Sequence, residues 1–143
     1  MSVAWKWWGG GAGRRYDESM GARINDYREL LAWQQAIELA LKCEVVCGQL
    51  PRSAFDLACQ LKRAAQSVYS NIAEGNGRPS IADYLRLLGY AKGSLNEVGS
   101  NLAFIVKRYG RTTAVREAEA LVRITDKLLN ALIRSLRDRR DRE

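Results

Sequence analysis

The 143-residue sequence contains no histidine, only two prolines and three cysteines. Without histidine the commonest catalytic base at neutral pH is missing, together with the Ser-His and Cys-His pairs and most zinc and di-iron ligand sets. Most enzyme classes fall on that ground, leaving the expectation of a non-enzymatic protein with no metal and no cofactor. No apolar run approaches the roughly 18 residues of a membrane-spanning helix, and the mean hydropathy is −0.31; no membrane partner is expected. Lys6 is followed by Trp7, Trp8 and glycines rather than by the apolar stretch of a secretory signal. An odd set of cysteines (Cys43, Cys47 and Cys59) then implies free thiols in a reducing, cytoplasmic setting. Cys43 and Cys47 stand one helical turn apart, outside the C-x-x-C spacing, and read as small core residues.

What is present suits one folded domain. Hydrophobic residues make up 47% of the chain, enough to build a core. Lys and Arg number 23 against 16 Asp and Glu, a net charge of +7 that favours an anionic partner without naming one. Residues 1–25 stand apart: Trp5, Trp7 and Trp8 lie beside Gly9, Gly10, Gly11 and Gly13, then Arg14 and Arg15, with no helical or strand period. This segment reads as a mobile leader, with Met20 a candidate start of the functional chain. The other reading is a nucleic-acid arm that stacks tryptophans on bases.

From Asp26 onward the pattern is helix and break. Asp26 and Glu29 resemble a capping box, and Leu30, Trp33, Ile37, Leu41 and Val45 recur at helical spacing along an expected core face that runs to about Gln49. Pro51 interrupts, and Ser53 is positioned to cap a second helix carrying Ala58, Leu61, Ala65, Val68 and Ile72. Gly75, suited to a left-handed C-terminal position, then Gly77 and Pro79 end it. Ser80 and Asp83 open a third helix whose apolar line is Leu85, Leu88, Ala91, Leu95, Val98, Leu102 and Ile105, closed by Gly110. Thr112 or Thr113 caps a fourth, with Ala118, Leu121, Val122, Leu128, Leu129, Leu132 and Ile133 inward. Four amphipathic helices with short connections predict an all-α, antiparallel up-down-up-down bundle over residues 26–137, with a charged tail over 138–143.

The run from Gln60 to Gly75, through Arg63, Ser67, Asn71 and Glu74, resembles the signature of the 23S ribosomal RNA intervening-sequence protein family. Leu85 with Ala91, Lys92, Gly93, Ser94, Leu95 and Glu97 resembles a second family motif, and Leu31-Ala32-Trp33-Gln34 its opening. The likeness covers about Tyr27 to Tyr109. It implies a four-helix bundle assembled as a ring-like homo-pentamer with a basic, RNA-binding surface. A fold-level similarity to accessory proteins of diversity-generating retroelements implies a second role, as an adaptor for a reverse transcriptase.

The motif residues also have a physical reading. Arg63, Ser67, Asn71 and Glu74 are spaced four, four and three and share a polar stripe. Glu74 sits at a helix C-terminus, where the dipole disfavours a carboxylate, and calls for a partner such as Arg63, Arg78 or the amides of the following turn. A buried network within the chain and a contact across a subunit interface both fit. Gly89 and Gly93 share one face inside a helix, at a cost of about 0.8–1.0 kcal/mol each against alanine, which marks close packing or a subunit seam.

The fourth helix carries the best basic stripe: Arg116, Arg123, Lys127, Arg134 and Arg137, spaced seven, four, seven and three. A solvated face explains such a run. Repeated around a ring, the same stripe would read phosphates rather than bases. The resulting expectation is a homo-oligomer that binds structured RNA or other nucleic acid. A purely structural oligomer is the bland alternative.

Overall fold

The computed structural model describes residues 26–143; the expected leader, residues 1–25, lies outside them. Two short 3-10 turns, Tyr27–Glu29 and Arg52–Ala54, precede the first two of four helices: α1 (Leu31–Gly48), α2 (Phe55–Asn76), α3 (Ile81–Tyr109) and α4 (Thr113–Arg140). Each helix packs on its two neighbours and α1 closes on α4, whereas the diagonal pairs do not pack together. Cross-contacts give the directions. Lys42 meets Glu117 and Gln49 meets Thr112; Ser67 meets Ser94 while Gly75 meets Tyr84; Lys92 meets Asp126 while Gly99 meets Val122. Rising numbers on one helix meet falling numbers on the next, so the bundle is antiparallel throughout.

The helix starts follow local chemistry, with two corrections. Ser80 Oγ accepts from the Asp83 amide at 3.1 Å and Thr112 Oγ1 from the Val115 amide at 3.2 Å, capping α3 and α4. Asp26 instead caps the 3-10 turn, accepting from the Arg28 amide at 2.9 Å, and α1 begins later with no side-chain cap. Ser53 lies inside a 3-10 turn and does not cap α2, whose cap residue is Ala54. At the other ends, Gly110 takes a φ of 90° and stops α3. Gly75 is no left-handed terminator: α2 continues through it, and the described chain's positive φ belongs to Gly110. α4 runs on to Arg140, so Asp138, Arg139 and Arg140 are helical rather than tail.

The core agrees with the expected lines on α2 and α3, where Leu61, Val68, Ile72, Leu88, Leu95, Val98, Leu102 and Ile105 are all buried. On α4, Ala118 and Leu129 are fully buried, while Leu121, Val122, Leu128, Leu132 and Ile133 pack half-buried against the same core. α1 departs from expectation. Its buried line is Ala32, Ala36, Leu39, Cys43, Val46 and Cys47, while Leu41 and Val45 are exposed and Ile37 is half-buried. α1 is apolar on two faces, so periodicity alone offers two equivalent stripes. Ala32 and Ala36 select the first one, because small side chains let neighbouring helices approach closely.

Cys43 and Cys47 are buried free thiols and Cys59 is half-buried. Burial pushes the Cys43 thiol up to about 12, with a smaller contribution from neighbouring Cys47, and raises Cys47 as well. Cys47 Sγ donates to the Ala58 carbonyl at 3.5 Å. Among the described residues no helix is long and apolar enough to cross a membrane.

Candidate nucleic-acid interface

Arg116, Arg123, Lys127, Arg134 and Arg137 are all exposed on the outer side of α4. At about 1.5 Å per residue they cover roughly 32 Å of helix axis. None of their side chains enters a hydrogen bond or ion pair among the described residues. Three of the α4 acids are engaged elsewhere, while Asp138 stays exposed beside Arg134 and Arg137 at the C-terminal end of the stripe. Glu117 pairs with Lys42 of α1. Glu119 receives both Nε and Nη2 of Arg111, at 2.9 and 3.1 Å, which raises the Arg111 pKa further. Asp126 pairs with Lys92 of α3 and also accepts from Asn130 Nδ2 at 3.2 Å. Sequence spacing located the stripe. It could not show that cations from three other segments hold Glu117, Glu119 and Asp126, the acids nearest Arg116, Arg123 and Lys127. Arg139 and Arg140 each meet an acid at the C-terminal end, Glu143 and Asp141, so the field is concentrated on the five upstream cations.

The second group of motif residues separates. Asn71 Nδ2 donates to the Ser67 carbonyl at 2.8 Å and to Ser67 Oγ at 3.0 Å, and Ser94 Oγ donates to Ser67 Oγ at 2.8 Å, tying α2 to α3. Glu74 pairs with Arg78 one turn on, beyond the α2 terminus. Arg63 and Glu97 are outside this network: both are exposed, with no hydrogen bond or ion pair among the described residues. The expectation of a buried Arg63 fails because its position faces outward, away from Ala64 and Ala65. Gly89 and Gly93 are exposed, and a Cβ on either would meet nothing within 4 Å. They serve no close packing within the chain.

Gly75 is the glycine that packing requires. A Cβ there would lie 2.7 Å from Tyr84 Cδ2 and 3.1 Å from Cε2. The Tyr84 ring is buried, and its hydroxyl donates to Asn76 Oδ1 at 3.3 Å. The family-like run therefore closes on a helix-turn-helix joint at its C-terminal end.

An open groove at the α1–α2 turn, lined by Glu44, Cys47, Pro51, Phe55 and Lys62 among others, went unnoticed in the sequence. Among the described residues no group of three or more Cys, Asp or Glu is placed to hold a metal ion.

The model of the 23S rRNA-intervening sequence protein family matches residues 28–132, most of the chain, from before α1 into α4. The chain belongs to that family. A crystal structure of a protein of unknown function from the S23 ribosomal protein family of Bacteroides thetaiotaomicron superposes with a TM-score of 0.67. It is 22% identical and the alignment covers 72% of this chain and 98% of that one, a likeness of fold. No protein of curated function matches the sequence. The family match extends through most of α4, including Arg116, Arg123 and Lys127, where the sequence motifs had faded.

Proposed function

We propose that this family member is a non-enzymatic homo-oligomer that binds structured RNA through the phosphates facing α4. The observation that supports this is the exposed stripe from Arg116 to Arg137, in which the acids nearest Arg116, Arg123 and Lys127 are held by Lys42, Lys92 and Arg111. Arginines and lysines on one regular face contact a phosphate backbone without base discrimination, and repetition in an oligomer multiplies the counterions released.

The experiment is a salt titration of RNA affinity. log K should fall with log salt by about 0.7–0.9 per phosphate neutralised. Replacing Arg123, Lys127 and Arg134 with glutamine should flatten that slope for every sequence alike and leave the helical content unchanged. Arg63→Gln, exposed and unpaired, should fold normally. If it abolishes binding while the triple variant binds as wild type, the RNA surface lies on α2 and the α4 reading fails.

A further inference from the structure

The residues that carry the family likeness on α2 and α3 gather on a face that the α4 stripe does not use. Ser94 Oγ donates to Ser67 Oγ at 2.8 Å, which sets the register of the two antiparallel helices. Arg63 lies four residues before Ser67, and Glu97 three residues after Ser94. Both steps run the same way along the bundle, so the two side chains start within about 2 Å of the same level. Both are exposed, with no hydrogen bond or ion pair among the described residues. Asn101 stands two turns beyond Ser94 on the same side of α3. Its Nδ2 is buried and has no hydrogen-bond partner among the described residues.

Aromatic side chains frame this seam. Tyr90, Glu97 and Phe104 recur every seven residues along one line of α3, about 10 Å apart. Tyr90 and Phe104 are 52% and 55% exposed. Arg86 sits 5.7 Å from the Tyr90 ring centre and is itself held by Asp83, so it steadies the ring without adding free charge. Between Tyr90 and Glu97 lies Gly93, where a Cβ would meet nothing within 4 Å. The helix surface is therefore open to a flat group at that point.

The seam offers donors from Arg63 and Asn101, an acceptor pair from Glu97, and aromatic rings on either side. A matching ligand carries acceptors and N–H donors on one planar edge, together with a face that stacks. An apolar protein surface would instead bury both charges unpaired. An unpaired nucleobase exposes its edges and stacks on aromatic side chains. Guanine fits best, because it gives O6 and N7 to an arginine and still holds N–H donors for a carboxylate. We propose that the α2–α3 seam binds an unpaired guanine of the RNA. Arg63 and Glu97 read its edge, and Tyr90 and Phe104 stack the bases on either side. This rests on the reading of the ligand as RNA, and adds base choice to an α4 surface that has none.

The test uses RNA hairpins with one constant stem and an all-uridine loop, in which a single position is G, A, C or left as U. Fluorescence anisotropy should show wild type binding the G loop about tenfold tighter than the others. Arg63→Gln and Glu97→Ala, both at exposed positions, should lose that preference and keep the wild-type salt slope. Tyr90→Ala should weaken every loop alike, by about fivefold or more, because stacking does not distinguish bases. The triple α4 variant should do the reverse, flattening the slope while still preferring G. Circular dichroism checks that each variant keeps its helices. Equal binding of all four loops by wild type, with a normal salt slope, would overturn the proposal, leave the α4 reading standing and assign the seam to a protein partner. A G preference that survives both Arg63→Gln and Glu97→Ala would overturn it too. If wild type binds no hairpin, the RNA reading itself fails and this one with it.

Discussion

Gly75 of α2 lies directly against the buried ring of Tyr84 at the start of α3, with 2.7 Å between the ring edge and the place a Cβ would occupy. This contact sets how closely the two helices approach beside their four-residue connection. Gly75→Ala should therefore destabilise the bundle, although alanine is the better helix former in isolation. The expected loss is about 1–3 kcal/mol from overpacking, read as a lower urea midpoint. Adding Tyr84→Leu should recover part of the loss, because the smaller side chain vacates the clash.

Lys92 controls the charge of α4 from a neighbouring helix. Lys92→Ala would free the Asp126 carboxylate beside the basic stripe, one turn from Arg123 and Asn130. RNA affinity should fall several-fold at low salt, although Lys92 itself is half-buried between helices. Lys92→Ala combined with Asp126→Asn should restore it. The pair's own contribution to stability is small, about 0–1 kcal/mol for a solvent-accessible ion pair. Thermal melting would confirm that the binding change does not come from unfolding.

Cys43 gives the fold an alkaline limit. In the unfolded chain this thiol ionises near its ordinary value of 9.0, whereas burial holds the folded one protonated to about 12. Between those values the folded state binds more protons than the unfolded one, so stability decreases as pH rises. Comparing the urea midpoints of wild type and Cys43→Ala across that window isolates the effect, which the variant should lack. Native alkylation followed by mass spectrometry should label half-buried Cys59 before Cys43, which becomes reactive when the chain unfolds.

Thr125 of α4 is fully buried and its Oγ1 has no hydrogen-bond partner among the described residues. Thr125→Val keeps the shape and removes the unpaired hydroxyl, and should raise stability by about 1 kcal/mol. A higher melting temperature checks this. Thr125→Ala should lower it, because that change also removes packed atoms from the core.

The sequence by itself determined the number of helices, their breaks at Pro51, Gly77 and Gly110, the cap at Ser80, a cap at either Thr112 or Thr113, and the basic line of α4. Those features are local: a cap, a breaker or a charge repeat acts within a turn or two of chain. Tertiary structure alone decided which apolar face of α1 is the core. Ile37, Leu41 and Val45 have the same helical period as Ala36, Leu39 and Cys43, and only packing against α2 and α4 separates them. It also decided that Gly75 answers to Tyr84 rather than to backbone handedness, and that Arg63 is exposed. The charge balance of α4 belongs to the same class, because it depends on Lys42, Lys92 and Arg111 arriving from other segments to hold Glu117, Asp126 and Glu119. Periodicity describes one helix at a time, whereas burial and charge balance are properties of neighbours.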